Sequence, residues 1–168
     1  YILHGTRNIK VSFNFMTKRF GINLVWAPLL GLLFSTSAKA DFKGSLNVEI
    51  DGLRNNAGQV CITLFGSSKG FPNEGKKALQ DKCFKITEIP LNIKFNELKA
   101  GSYAVVLLHD ANGSKKMEMD SLGMPTEGFG FSQNPEITNR APKFSESAFF
   151  IAGPETNIKI NIKYMSGF

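Results

Sequence analysis

The sequence has few of the residues on which many enzymes and metal centres depend. Among 168 residues it contains two histidines, two cysteines and one tryptophan. Only His109 among the histidines lies beyond residue 40. A zinc site built on several histidines is therefore excluded from that part of the chain. An acid–base mechanism that depends on histidine has this one candidate.

A strongly basic surface is also lacking. All 14 acidic residues follow residue 40, whereas five of the 20 basic residues precede it, which leaves 15 basic and 14 acidic residues in 41–168. A phosphate-binding surface needs clustered and uncompensated Lys and Arg side chains. Residues 76–77 and 115–116 are lysine pairs and not a patch. We therefore expect no nucleic-acid partner.

The longest apolar run is too short to cross a membrane. It covers about residues 22–34 and contains a proline and a glycine, whereas a spanning helix needs roughly 20 apolar residues. Lys18 and Arg19 precede the run, and small residues ending in Ala40 follow it. This order of a basic, an apolar and a small-residue region is typical of a secretory signal peptide; a core helix is the alternative.

These features predict how the chain is organised. Residues 1–15 are interpreted as upstream or artefactual sequence, 16–40 as a signal peptide cleaved near Ala40, and 41–168 as a single domain. No cysteine follows the small residues, so a lipid-modified N-terminus is not indicated. We expect a periplasmic or secreted protein that is monomeric and, after signal cleavage, not an integral membrane protein.

The two cysteines, Cys61 and Cys83, both lie in the predicted exported domain. Exported proteins meet oxidising conditions in which a pair of thiols closes to a disulfide. The sequence therefore favours a Cys61–Cys83 disulfide. Two separately buried thiols are the alternative.

Apolar residues alternate with polar ones in several short stretches that are separated by turn residues, and helical periodicity is slight. Alternation with a period of two is typical of strands that bury one face. The stretch 103–108 is apolar on both faces, which predicts a central strand. The pattern predicts an all-β, antiparallel sandwich of about seven strands with a long loop, 110–143, after the central strand. The predicted strands are 46–50, 60–64, 83–89, 91–98, 103–108, 147–153 and 156–164.

Tyr103 follows a leucine and a glycine turn and enters the central strand. This arrangement resembles the tyrosine corner of Greek-key sandwiches, in which the phenol bonds to the backbone upstream. An ordinary strand tyrosine is the alternative.

The segment after the central strand carries oxygen-bearing side chains at the spacing of a calcium loop, in which alternate residues provide ligands. The candidate calcium ligands are Asp110, Asn112, Ser114, Glu118 and Asp120. Lys115 stands where such a loop has a glycine, and Ser121 stands where it has a bidentate glutamate. The alternative is a polar turn in which Asp110 and Asn112 bond to nearby backbone.

The same segment provides the candidates for ligand binding and for catalysis. The candidate ligand-binding residues are His109, Asp110, Asn112, Glu127, Phe129 and Phe131. Phe129, Phe131 and Phe144 form an aromatic binding surface if they are exposed, or cap the core if they are buried. His109 beside Asp110 is either a pH-responsive pair or a structural histidine that bonds the loop backbone.

Three classes of function remain from the residues alone. The leading hypothesis is a non-catalytic module that binds an unknown ligand or protein through 109–144, with calcium as a conditional cofactor. The second is a small periplasmic hydrolase. The third is a small outer-membrane barrel, suggested by the alternating strands and the terminal Phe168. The acid–base candidates for the hydrolase are His109, Asp110, Glu118 and Asp120.

Several stretches resemble an uncharacterised bacterial family, domain of unknown function 2141. They are GLRNNAGQV (52–60), GFP (70–72), LKAGSYAV (98–105), HDANG (109–113), LGMPTEGFGFSQN (122–134) and APKFSESAFF (141–150). The resemblance covers 44–164, implies an exported Ig-like or transthyretin-like sandwich, and supplies no established activity. Members of the family resemble H-D-x-N-x-N-G-x-x-D at the loop, whereas Ser114, Lys115 and Glu118 occupy the later positions here.

Overall fold

The computed structural model describes residues 42–138 and 140–165. The predicted upstream segment, 1–15, and the predicted signal peptide, 16–40, lie outside the described residues, as does Phe168. Within the described ranges, no helix has the length and apolar character needed to span a bilayer.

The described chain is nearly all β-structure. It contains eight strands, one 3-10 turn and one helix of four residues. The strands are β1 Lys43–Asp51, β2 Gln59–Phe65, β3 Gln80–Lys85, β4 Leu91–Lys99, β5 Gly101–Asp110, β6 Gly128–Phe131, β7 Phe149–Ile151 and β8 Glu155–Asn161. The 3-10 turn is Gly75–Lys77 and the helix, α1, is Phe144–Ser147.

The strands form two sheets. The first has the order β4-β1-β8, and the second has the order β3-β2-β5-β6, with β7 also paired to β5. The alternation of apolar and polar residues in β1 matches its burial. Leu46, Val48 and Ile50 are buried, whereas the residues between them are only partly covered. Side chains of a strand alternate between the two faces of its sheet, so β1 presents one apolar face.

One hydrophobic cluster joins the two sheets. Val48 of β1 and Ile93 of β4 belong to it together with Ile62 of β2 and Leu107 of β5. Burying a side chain of this size contributes about 1.5–3 kcal/mol, so the shared cluster accounts for the two sheets packing face to face. β5 is covered on both sides, as predicted for a central strand.

The prediction of an entirely antiparallel fold was wrong. β1 pairs with β4 in antiparallel fashion, but β1 and β8 are parallel, with Ser45 opposite Glu155 and Asp51 opposite Asn161. The alternation of apolar residues fixes which face of a strand is buried, but it does not fix the direction of its neighbour.

The predicted count of about seven strands omitted β6. This strand pairs with β5 and lies within the segment that was predicted to be a continuous loop, 110–143. The connection after β5 is therefore residues 111–127, which we call the β5–β6 loop. It is followed by β6 and, after a second connection, by α1.

Two contacts predicted from the sequence are confirmed. Cys61 and Cys83 are opposite each other on β2 and β3 and form a disulfide. The Tyr103 hydroxyl donates a hydrogen bond of 2.8 Å to the backbone carbonyl of Lys99, four residues upstream. This bond is the contact that defines a tyrosine corner, and it holds the start of β5 to the end of β4.

Candidate functional site

His109 is buried at the end of β5, and both of its ring nitrogens are engaged. Nε2 lies 2.9 Å from the carbonyl oxygen of Ala57, and Nδ1 lies 2.6 Å from the hydroxyl of Tyr164. Because a carbonyl can only accept, Nε2 carries the proton toward Ala57, and Nδ1 accepts from the tyrosine hydroxyl. His109 therefore links the β1–β2 turn to the segment after β8 through these two hydrogen bonds.

Asp110, the next residue, is fully buried and organises the start of the β5–β6 loop. Its Oδ2 accepts hydrogen bonds from the side-chain amide of Gln59 at 2.7 Å and from the backbone N–H of Lys115 at 3.0 Å. Its Oδ1 accepts from the N–H of Ser114 at 3.0 Å. Burial alone raises the pKa of Asp110, but these bonds and one from the Gly113 N–H outweigh it and hold the pKa below its ordinary value.

Glu127 ends the β5–β6 loop and is the exception to this pattern of satisfied groups. Glu127 is only 8% exposed, yet neither carboxylate oxygen forms a hydrogen bond of standard geometry with a residue that the structure describes. Burial raises the pKa of Glu127, and the nearby carboxylates of Asp110 and Glu118 raise it further. Backbone N–H groups of Glu118 and Ala111 act in the opposite direction but are outweighed.

Hydrogen bonds link four of the five predicted calcium ligands. The Ser114 N–H donates to both Asp110 and Asn112, and the Asn112 side-chain amide donates to Glu118 Oε1 at 2.8 Å. Backbone capping by Asp110 and Asn112 is the polar-turn alternative that the sequence left open. Among the described residues, no three Asp, Glu, His or Cys side chains are already gathered to hold a metal ion.

Asp120, the fifth predicted calcium ligand, does not join this network. Its Oδ1 accepts hydrogen bonds from the N–H groups of Leu122 and Met124, both at 2.9 Å. The backbone of Asp120 also bonds to that of Met124, and Met119 pairs with Pro125. Asp120 therefore fixes a small hairpin at the end of the loop, which we call the loop tip, residues 118–126.

The loop tip exposes apolar side chains to solvent. Leu122 is 85% exposed, Met119 is 56% exposed and Met124 is 40% exposed. The hydrogen bonds to Asp120 hold the turn that carries them. Apolar side chains that are presented together on a well-defined turn are a feature of surfaces that contact other molecules.

Phe129 and Phe131, in contrast, are buried, and Phe144 is half-buried. The ring of Phe71 lies 6.1 Å from that of Phe131 and 5.7 Å from that of Phe144, measured between ring centroids. The aromatic residues after the loop thus cap the core, which is the second of the two alternatives the sequence left open. Their rings do not form the exposed surface.

The two glycines of β6 explain why this short strand can be covered on both faces. A Cβ built on Gly128 would overlap the ring of Tyr164, and one built on Gly130 would lie 2.9 Å from Ile160 Cγ2. The glycines therefore leave room for the C-terminal segment on one face of β6 while the phenylalanines pack on the other.

Tyr164 and Gln59 were not among the predicted site residues. Tyr164 follows the last strand and Gln59 begins β2, far in sequence from the β5–β6 loop. Tyr164 lies outside the family-matching stretches, and Gln59 lies in GLRNNAGQV, which carries no signal that it meets Asp110. The contacts arise from strand pairing, which places Gln59 opposite Asp110.

These features define a class of protein: a disulfide-linked, two-sheet β-domain with a polar loop anchored at the end of its central strand. A family model described as an uncharacterized protein conserved in bacteria (DUF2141) matches residues 48–159. The chain belongs to this family, as its resemblance predicted. No curated protein and no solved structure matches the chain.

Proposed function

We propose that this chain is an exported, non-catalytic binding module that contacts a protein partner through the tip of its β5–β6 loop. The observation that carries the proposal is the exposure of Leu122, Met119 and Met124 on one capped turn. Burial of this apolar surface against a partner would remove it from water, which is the main favourable term in protein association.

The shape of the loop supports a protein partner over a small molecule. Residues 111–126 are exposed except for Met117 and Pro125, which are half-buried. A Cβ built on Gly113 or Gly123 would meet no atom within 4 Å, so the backbone there faces open space. Small-molecule sites are concave and enclose their ligand. A projecting turn instead fits a depression on another protein.

The base of the loop supports the same role because hydrogen bonds hold it in one conformation. Asp110 accepts hydrogen bonds from the backbone N–H groups of Ser114 and Lys115 and from Gln59 on the neighbouring strand. A loop whose conformation is fixed before binding loses less conformational entropy when a partner binds. His109 adds a further link between the loop base and the rest of the domain.

A structural use of His109 also supports a non-catalytic function. A general base needs a ring nitrogen that can reach a substrate proton. Both nitrogens of His109 are instead bonded within the protein, to Ala57 and Tyr164, and the ring is buried. The enzyme alternative would have to rely on the carboxylates of the loop alone.

For the scaffold, we propose an Ig-like or transthyretin-like sandwich. The two sheets share one core, and the Tyr103 hydroxyl makes the backbone bond of a tyrosine corner. Domains of this kind present their loops at the ends of the sandwich and use them for recognition. The Cys61–Cys83 disulfide supports an exported location, because disulfides persist in oxidising compartments.

Affinity capture with paired variants tests the proposal. The full chain, Leu122→Ser and Leu79→Ser would each be immobilised and exposed to the exported proteins of a bacterium that carries the gene. Leu79 is 58% exposed and lies outside the loop, so it controls for the loss of any exposed leucine. We expect a protein that is retained by the parent chain and by Leu79→Ser, and that Leu122→Ser loses.

Two results would contradict this function. One is retention of the same proteins by all three chains. The other is hydrolysis of sugar or ester substrates by the parent chain that disappears in a folded Glu118→Gln variant, because that outcome would favour the enzyme alternative. Circular dichroism would show that each variant keeps its β-structure.

A further inference from the structure

Two buried carboxylates at the base of the β5–β6 loop form no ion pair with any residue that the structure describes. Asp110 is fully buried and Glu127 is 8% exposed. The ion pairs formed by the described residues involve neither of them. His109 pairs with Gly128 in antiparallel register, so Asp110 and Glu127 are neighbours where β5 ends and β6 begins. A buried charge is costly unless it is paired or binds a metal ion, so this arrangement needs an explanation.

Asp110 already accepts well-formed hydrogen bonds that stabilise its charge, whereas Glu127 has only the weaker influence of the Glu118 and Ala111 N–H groups. Four N–H groups, from Gln59, Gly113, Ser114 and Lys115, stabilise the Asp110 carboxylate. Both oxygens of Glu127 are buried, and neither forms a hydrogen bond of standard geometry within the described part of the chain. Unsatisfied buried polar atoms are uncommon in native proteins. A metal ion bound by the carboxylate oxygens of Glu127 would satisfy them. The unpartnered side chain is thus an observation separate from the spacing of acidic residues.

We propose that Glu127 and Asp110 bind one calcium ion, which closes the β5–β6 loop onto its own base. Calcium takes six to eight oxygen ligands, and carboxylate, amide, hydroxyl and backbone carbonyl oxygens all serve. Asn112, Ser114 and Glu118 lie on the loop between the two carboxylates and are joined to Asp110 by hydrogen bonds or through one another. They supply the remaining protein oxygens.

This ligand set differs from the one predicted from spacing. Glu127 replaces Asp120, because Asp120 caps the turn at the loop tip. Glu118 now bonds the Asn112 amide and would leave it to reach the ion. That movement is needed because three carboxylates are not yet gathered at this place.

Lys115 does not prevent this arrangement, although a calcium loop has glycine at that position. Its backbone adopts the left-handed conformation, with φ of 60°, that glycine adopts most readily. Its side chain is exposed, so its ammonium group is solvated, while its N–H supports Asp110. The site binds the ion whether or not the loop tip has a protein partner, so this proposal does not rest on the proposed function.

Calorimetric titration of the full chain with calcium chloride, after removal of metals by a chelator, tests the proposal. We expect one site with a dissociation constant of about 0.1–1 mM, the range of extracellular calcium modules. Glu127→Gln preserves the shape of the side chain and removes its charge, and we expect it to weaken calcium binding at least about tenfold. Asp120→Asn removes one charge from the same loop but keeps a capping oxygen, and should bind like the parent.

Thermal unfolding distinguishes loss of the site from loss of the fold. Without calcium, Glu127→Gln should unfold at a higher temperature than the parent, because the variant removes an uncompensated buried charge. With calcium at about 10 mM, well above the dissociation constant, the parent should gain stability and Glu127→Gln should not. No heat and no thermal shift for the parent would overturn the proposal. Equal calcium affinity in the parent and Glu127→Gln would overturn it as well.

Discussion

The imidazole of His109 and the phenol of Tyr164 are joined by a hydrogen bond of 2.6 Å, although 55 residues separate them in the sequence. The Tyr164 hydroxyl also accepts the backbone N–H of Arg54 at 3.2 Å. The pair therefore ties the end of the central strand to the C-terminal segment and to the turn between β1 and β2. Burial raises the pKa of Tyr164, which keeps its hydroxyl protonated and able to donate to His109.

Removing the Tyr164 hydroxyl should destabilise the domain. Tyr164→Phe deprives His109 Nδ1 of its donor and the Arg54 N–H of its acceptor. Loss of the hydrogen-bond donor to the buried His109 ring costs about 1–3 kcal/mol, and urea unfolding would measure it. The double variant His109→Phe/Tyr164→Phe should cost less than the sum of the two single changes, because each single change leaves a polar group unsatisfied. Strictly additive costs would contradict a direct bond.

A methyl group at Gly128 should be poorly tolerated. Gly128→Ala would bring a Cβ into the ring of Tyr164. Overpacking of this kind costs about 1–3 kcal/mol, which chemical denaturation would report. Gly153→Ala is the matched control, because its nearest neighbour would be 4.0 Å away, at the carbonyl of Glu155. Equal stability of the two variants would show that β6 and the C-terminal segment do not pack as described.

Loss of the Cys61–Cys83 disulfide should weaken the domain without changing its fold. The two cysteines are 22 residues apart, and closing a loop of this size contributes about 3 kcal/mol through the unfolded state. Cys61→Ala/Cys83→Ala should show this decrease in the free energy of unfolding. The parent chain under reducing conditions should show a decrease of similar size. A double variant as stable as the oxidised parent would contradict this account.

The short helix α1 provides a prediction of pH dependence. The guanidinium of Arg140 and the N–H of Lys143 bond to Glu146 and lower its pKa from 4.5 to about 2. A carboxyl group whose pKa is lower in the folded state than in the unfolded state stabilises the fold at pH values above the unfolded-state pKa. This contribution is lost as the pH falls from about 4.5 toward 2. Arg140→Gln should raise the pKa of Glu146 in an NMR titration.

Asp51 is the control for that titration. Lys159 and the Gly52 N–H lower its pKa at a separate place on the first sheet, so Arg140→Gln should leave it unchanged. An unaltered pKa for Glu146, or an equal change at Asp51, would contradict the described ion pair.

The sequence alone predicted those structural features whose evidence lies within one short stretch of residues. Alternation and apolar runs indicated seven of the eight strands. The turn before Tyr103 indicated a hydrogen bond to the backbone upstream, and its acceptor is the Lys99 carbonyl. β6 was missed because GFGF alternates glycine with phenylalanine and lies between polar segments, and glycine is rare in strands. It is a strand because its backbone pairs with β5, and its glycines leave the space that the C-terminal segment fills.

The candidate site was predicted only in part for a related reason. The residues of one loop can be read from one stretch of sequence, so Asp110, Asn112 and Glu118 were found together. Their surroundings depend on strand pairing, which the alternation pattern does not determine. Burial of His109 and of Glu127 follows from that pairing and from the C-terminal segment. The spacing of acidic residues likewise could not show that Asp120 turns toward the loop tip.

The most direct test of the binding loop is site-specific photo-crosslinking in bacteria that express the chain. A photo-reactive amino acid would replace Leu122 in one variant and Leu79 in another, since both side chains are exposed but only Leu122 lies on the loop tip. We predict a discrete crosslinked adduct to one protein from position 122 and none from position 79. The absence of an adduct at 122, or the same adducts from both positions, would contradict a partner-binding role for the loop.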